Sequence, residues 1–381
     1  MRSTLLAALL TLPLPAADFA SDLAFLRQHT ETILLTKGKA QLAVAPAYQG
    51  RVMTSTDGAA SYGWINRSLI ASKKLVPHMN PFGGEDRFWL GPEGGQFSIF
   101  FPPKAPFDLA NWQTPAPLDT DAYPVIARQP DRVRFQKRFQ LTNYSGTKFD
   151  VAVDREVRLL DAPELWSKLG VPAQSSLSAV AFESANRITN AGAQPWTQKT
   201  GLLSIWILGM FNAAPATTVV VPLKPGNGGV TDDYFGKVPA ARLKQTPAAL
   251  FFRGDGRYRS KIGVNPARAK SVLGSYDPAS GVLTIVQFTL PAGPAPYVNS
   301  EWKIQQNPFS GDTINSYSDD GKMGAFYELE TSSPAAALAP GQSLQHLHRT
   351  VHLRGPAPAL DAVAKSVLGV TLDQIQTALP Q

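Results

Sequence analysis

A chain of 381 residues, 44% hydrophobic and 17% charged, is long enough for one large domain or two ordinary ones. With 30 glycines and 32 prolines in no fixed period, it is neither collagen-like nor low-complexity, and it suits many strands joined by tight turns. The lack of cysteine excludes disulfides, a thiol nucleophile and a thiolate metal site, and the net charge of +7 is spread over scattered basic residues, which reads as a solvated surface rather than a nucleic-acid footprint.

In chain order, residues 1–17 read as a signal peptide: Arg2, the apolar run Leu5–Leu14, then Pro15-Ala16-Ala17. That predicts a periplasmic or secreted protein. The run is shorter than the roughly 20 apolar residues a membrane span needs, and no later segment resembles a span. Phe19, Leu23 and Leu26 have the spacing of a short helix, with Ser21 or Asp22 as its cap. Strands then dominate. Ala40–Val44, Arg51–Thr56, Arg132–Leu141 and Phe149–Leu160 come first, the last with Phe149, Val151, Val153, Val157 and Leu159 on one face and Asp150, Asp154, Glu156 and Arg158 on the other. Further strand-like runs are Ser178–Phe182, Leu202–Leu208, Thr217–Pro222, Ala249–Phe252, Val282–Thr289, Ala325–Thr331 and Ser343–Leu353. Ala359–Leu379 switches to helical spacing. The expectation is an all-β sandwich or barrel over residues 18–355, with a helical tail over 356–381.

Three segments carry candidate chemistry. His78–Gly95 gathers His78, Glu85, Arg87, Trp89 and Glu93 among glycines, which allow sharp bends and close ligand approach. Aromatic faces cover the C–H face of a sugar ring while carboxylates and arginine bind its hydroxyls; a turn held by a Glu–Arg pair is the structural alternative. Tyr297–Gly321 holds Trp302, Gln305, Asn307, Asp312 and Asn315 with few aliphatics, as a polyol-binding loop would; an ordered surface loop is the alternative. In Phe326–Thr331, Glu328 and Glu330 are two apart, so a strand points both to one face, where one carboxyl raises the pKa of the other; a solvent-facing acidic stripe is the plainer reading.

Other signals are weaker. Arg155 lies on the otherwise apolar face of its strand and needs an ion partner or a ligand. His346, His348 and His352 share a strand face, which admits a metal site or plain core histidines. Asp232-Asp233 and Asp319-Asp320 offer oxygen ligands outside any EF-hand pattern. GxSxG, P-loop and HExxH motifs are absent, so no cofactor and no metal are expected.

The stretches AYQGRVMTST, YGWIN, NPFGGEDRFWLGPEGGQFSIFF, LTNYSGTKF, PFSGDTINSY and FYELETSSPAAALAPGQSLQHLHRTVHL together resemble a family of bacterial exported proteins of uncharacterised function with a galactose mutarotase-like β-supersandwich. Glu330-Thr331-Ser332, Pro340-Gly341-Gln342 and His346 look similar to the acidic strand, turn and last strand of aldose 1-epimerases. The resemblance implies Glu330 as general base and Arg87 as a substrate ligand; in an enzyme, His78 or Glu328 is the acid expected. The epimerase histidines are missing, and Trp206 stands where one is expected. The expected function is binding of a mono- or oligosaccharide on a concave face, with Arg87, Trp89, Glu85, Arg155, Trp302, Gln305, Asn307, Asp312 and Asn315 as ligands. Isomerisation is the expected reaction; non-catalytic binding, glycoside hydrolysis and a lyase reaction stay open, as does the oligomeric state.

Overall fold

The computed structural model describes residues 18–380. The signal peptide expected over residues 1–17 lies outside the described residues. The first half of the chain forms α1 (Phe19–His29), β1 (Ile33–Lys37), β2 (Ala40–Ala45), β3 (Arg51–Thr56), α2 (Arg67–Ser72), β4 (Arg87–Gly91), α3 (Ala116–Asp119), β5 (Val125–Gln129), β6 (Arg132–Thr142), β7 (Lys148–Leu159), α4 (Ala162–Leu169) and β8 (Ser178–Asn190). It continues through β9 (Ser204–Asn212), β10 (Thr218–Pro222), β11 (Val230–Thr231), β12 (Leu243–Gln245), β13 (Ala249–Arg253), β14 (Ser260–Val264) and β15 (Val272–Asp277). The remaining elements are β16 (Val282–Phe288), β17 (Ile314–Ser318), β18 (Phe326–Ser332), β19 (Ser343–Arg354), α5 (Ala357–Leu368) and α6 (Leu372–Thr377).

The strands form a ten-stranded sheet in the order β12-β13-β10-β15-β16-β19-β8-β7-β6-β5, a six-stranded sheet in the order β11-β14-β17-β18-β9-β4, and a three-stranded sheet, β1-β2-β3. This is an all-β sandwich. Strand alternation builds it: on β7 the residues Phe149, Val151, Val153, Val157 and Leu159 are buried between sheets, as their period of two requires. One core cluster runs from Ile33 to Leu338 between the sheets. The far end of the sandwich is filled by Phe252, Leu273 and Leu329 among others.

The helical tail is two helices rather than one. Gly369, at φ 72°, ends α5, and Thr371 caps α6 with a reciprocal Thr371–Gln374 capping box. Leu360, Val363, Leu368 and Ile375 are buried against the outer face of the ten-stranded sheet, and Arg253 donates to the Pro380 carbonyl at 2.6 Å. The tail thus covers the β10, β13, β15 and β16 part of that face, while its β5 and β6 end stays exposed. The segment expected as a long polar loop, Tyr297–Gly321, contains β17, and the glycine-rich His78–Gly95 contains β4.

Between the sheets lies a polar layer that sequence alone left open. Arg155, fully buried, donates from Nη2 to Asp86 Oδ1 at 2.6 Å and to the Asp86 carbonyl at 3.1 Å, and its Nη1 reaches Asn186. Ser184 donates to the other Asp86 oxygen at 2.7 Å. Glu85 is also buried and joins His352 Nε2 at 2.7 Å and Ser55 at 3.0 Å. Arg155 and Glu85, expected as sugar ligands, therefore sit inside the sandwich as structural partners. His346 and His348 both meet the Thr331 hydroxyl at 2.9 Å while His352 turns to Glu85, so the three histidines are core residues that do not converge. Burial pushes His346 down to about 3 and His348 to about 4.

Asp86→Ala leaves the Arg155 guanidinium buried and unpaired, and is expected to cost about 3–5 kcal/mol. Urea unfolding measures this, and an Asp86→Leu/Arg155→Met double variant is expected to recover most of the loss.

Candidate functional site

The outward face of the six-stranded sheet is the floor of a cleft. Alternation on β18 turns Leu329 inward and sets Phe326, Glu328 and Glu330 on the floor. Strand pairing places Met210 beside Glu328 and Leu208 beside Glu330 on β9, and Tyr317 and Asn315 beside them on β17. On β4 the same rule turns Phe88 into the core and Arg87 and Trp89 to the floor.

Two contacts between a cation and a carboxyl organise it. Arg87 Nη2 donates to Glu328 Oε1 at 2.9 Å, with the guanidinium stacked 4.3 Å over Trp89. Lys261 of β14 donates to Glu330 Oε2 at 3.0 Å, and Trp206 Nε1 donates to the same oxygen at 3.0 Å. The Lys261 ammonium also lies 4.7 Å from the Trp206 ring centre. Burial works against the charge on Lys261, but Glu330 and Glu93 outweigh it and raise its pKa. Burial pushes Glu328 up to about 8; Arg87 opposes the rise and the Glu330 carboxylate reinforces it. The proton-bearing form of Glu328 is thereby favoured to a higher pH than in an ordinary carboxyl. Glu330, fully buried beneath Lys261 and Trp206, is the anion that holds Lys261 in place.

A second carboxyl comes from the loop after β4. Glu93 Oε1 accepts from Trp302 Nε1 at 3.2 Å, and burial raises its pKa. The Trp302 loop can approach this closely because Gly94 has no side chain: a Cβ there would lie 2.3 Å from the Glu301 carbonyl oxygen. Gln305 pins the same loop, donating to the Asn299 and Glu301 carbonyls at 3.0 and 2.9 Å. At the far side of the floor, Tyr234 donates to Asp312 at 2.7 Å and Asn315 donates to Tyr234 at 3.1 Å. Burial pushes Asp312 up to about 6.

The cleft consists of adjoining cavities of about 500, 330 and 90 Å3 that share Glu93, Phe235, Arg259 and Trp302 or its neighbour Trp112 along their walls. The smallest is the floor, with Arg87, Trp89 and Glu328. Of the residues expected from sequence, Arg87, Trp89, Trp302 and Glu328 meet in this cleft. Asp312 and Asn315 line a side pocket next to Lys261. His78 lines the outer cavity, with Nδ1 2.7 Å from the Trp112 carbonyl oxygen, and is not among the floor residues around Glu328. Gln305 and Asn307 shape their loop; Asn307 is exposed and its carbonyl accepts from Ser310. Asp232 and Asp319 serve turns, accepting from Lys237 and from the Gly321 amide.

Sequence reasoning did not single out Lys261, Arg259, Phe235 or Tyr234. Lys261 could have been found as a lone cation on a short strand otherwise built of Ser260, Ile262, Gly263 and Val264. Glu93 stood within a recognised segment without a role.

Stability offers a direct check on Glu328. A carboxyl raised from 4.5 to about 8 in the folded state favours the protonated form there, so its contribution is present at low pH and lost as pH rises from about 4.5 to 8. Urea unfolding across this window is expected to show a falling stability, with a shallower fall in Glu328→Gln.

The chain belongs to the DUF6786 family, a family of unknown function, whose model matches residues 17–379. A comparison with curated protein sequences finds no match. Among solved structures, the chain is similar to an aldose 1-epimerase candidate from Escherichia coli K12, at 14% identity and a TM-score of 0.53 over 86% of this chain and 99% of that one. It is also similar to the Slr1438 protein of Synechocystis sp. PCC 6803, at 15% identity and a TM-score of 0.52 over 85% and 96%. A galactose mutarotase-like protein from Lactobacillus casei ATCC 334 matches at 12% identity and a TM-score of 0.48, over 85% and 100%. The chain thus shares the fold of the aldose 1-epimerase candidate, in line with the mutarotase-like fold that the sequence resemblance implied.

Proposed function

We propose that this member of the family binds a carbohydrate in the cleft over the six-stranded sheet and moves a proton on it between carboxyl groups, as an aldose isomerase does. The observation that carries the reading is the pair of carboxyls, buried Glu328 and partly buried Glu93, on one small cavity walled by Trp89, Trp112 and Trp206. Glu328 sits on β18 and Glu93 just beyond β4, with β9 between those strands. Both reach the same small cavity from different elements, which lets them act on one bound ring.

The chemistry follows from their protonation. Glu328, in its proton-bearing form, gives its proton to the ring oxygen. Glu93, once ionised, takes the proton of the anomeric hydroxyl. The bond between the anomeric carbon and the ring oxygen breaks, leaving the open aldehyde, and reversal on the other face closes the ring with the opposite configuration. A carboxyl whose pKa lies near the working pH suits such a transfer. Arg87 holds Glu328 and lies where it can meet a sugar hydroxyl. Lys261 and Glu330 neutralise each other, which keeps the floor free of an unpaired charge. This keeps Glu328, one of the two acids expected from sequence, and moves the base from Glu330 to Glu93.

Non-catalytic carbohydrate binding is the second reading. It is favoured by the missing epimerase histidines and by the aromatic walls, which need no proton transfer to hold a ring. Export, to the periplasm or the medium, forms part of the proposal through the composition of Met1–Ala17.

Exchange NMR on hexoses, pentoses and uronates tests the reaction: the protein is expected to accelerate anomer exchange for at least one sugar. Glu328→Gln is expected to lose that acceleration with sugar binding retained, while Trp302→Ala is expected to weaken binding about tenfold. Binding without any acceleration across the panel selects the non-catalytic reading, and no binding by calorimetry rejects both.

A further inference from the structure

The outer part of the cleft differs in chemistry from its floor. The cavity of about 500 Å3 above Glu93 is lined mainly by Leu69, Val76, Pro77, Met79, Leu109 and Met323, together with Trp112 and Trp302, while Arg259, Asp319 and Lys322 add charge to its wall. Its volume alone is in the range of roughly 300–1,000 Å3 that takes a drug-sized ligand. The rim continues the apolar character. Val76, Leu109 and Phe235, which line the cavity, are 39–55% exposed, three of the eight large hydrophobic residues that are exposed among the described residues. Such residues scattered singly are ordinary, but a cluster at the mouth of one cavity marks a binding surface.

The wall is built rather than loose. The His78 backbone amide donates to Gln113 Oε1 at 3.1 Å, Gln113 Nε2 donates back to the His78 carbonyl at 3.0 Å, and the Thr114 amide donates to that carbonyl at 2.8 Å. Asn80 is fastened beneath by Asp119, whose carboxylate accepts from the Asn80 amide at 3.1 Å and from Nδ2 at 2.7 Å. The residues between, Val76 to Met79, are thereby held open above the floor. A free monosaccharide over Glu328 and Arg87 would leave this apolar chamber and its rim in water.

We infer that the cleft takes an amphipathic glycoside, its sugar on the floor at Arg87 and Glu328 and an apolar aglycone, an alkyl, acyl or aryl group, in the outer chamber. This rests on the carbohydrate reading of the floor and not on the isomerisation, because a glycoside lacks the free anomeric hydroxyl that the reaction needs and occupies the site as a bound ligand. The aglycone does not fit the side pocket near Lys261, which is lined by Tyr234, Asp312 and Asn315 and has a volume of about 20 Å3. Each methylene that leaves water for the chamber is expected to tighten binding up to about fourfold.

Calorimetry with methyl and n-octyl glycosides of glucose and galactose, below the concentration at which the octyl compounds form micelles, tests the inference. For the sugar that binds, the octyl glycoside is expected to bind at least tenfold more tightly than the methyl one. In Leu109→Ser and Val76→Ser, both at exposed rim positions where folding is little affected, most of that gain is expected to vanish while methyl glycoside binding stays unchanged. Equal binding of methyl and octyl glycosides overturns the inference and leaves the carbohydrate reading standing. Octyl phosphocholine binding as tightly as the octyl glycoside also overturns it, since the chamber would then select an alkyl chain without a sugar. Binding of no glycoside at all removes the carbohydrate reading on which the inference stands.

Discussion

The Arg155–Asp86 ion pair is the constraint on which the cleft depends. Arg155 comes from the middle of β7 in the ten-stranded sheet, and Asp86 directly precedes β4 at the edge of the six-stranded sheet. The pair is fully buried, so it persists only because Asn186, Ser184 and the Asp86 carbonyl satisfy the remaining donors and acceptors. It pins the start of β4 to the inner layer. Alternation does the rest: with Asp86 inward, Arg87 must point to the outer face, where it meets Glu328 from the other side of β9. One register, fixed inside the sandwich, thus sets the geometry of a contact between a cation and a carboxyl outside it.

The floor uses its charges in two distinct ways. Lys261 and Glu330 face each other below Trp206 and cancel. Arg87 and Glu328 lie nearer the cavity, and there burial and the neighbouring Glu330 charge together favour the proton-bearing form of Glu328. The same carboxylate therefore anchors a lysine and tunes a neighbour two residues away. The acidic groups are not a stripe facing solvent; they are packed under aromatic rings, which lowers the local dielectric and strengthens each effect.

Much of the fold was legible because it follows from period and turn chemistry. The strand from Arg51 to Thr56 has the expected ends, and those of β6, β7, β16 and β19 differ from expectation by a residue or so, since one buried face writes itself as alternation. β4, β14, β15 and β17 escaped for the opposite reason. Each is covered on both sides or rich in Gly, Ser and Asn, so no polar face alternates with an apolar one. The break between α5 and α6 was hidden because the apolar spacing continues past Gly369.

What the sequence determined by itself was the all-β class, the carboxyl pair at Glu328 and Glu330 on one strand face, and the concentration of polar and aromatic groups around Arg87 and Trp302. These are local properties, set by composition and a period of two. Which of those groups share a cavity is set by contacts between residues far apart in the chain. Arg155 with Asp86, Lys261 with Glu330 and Glu93 with Trp302 are separated by 69, 69 and 209 positions. Only the packing of two sheets brings such partners within hydrogen-bond range, and only that packing decided that Glu85 and Arg155 lie inside the core while Lys261 and Glu93 belong to the cleft.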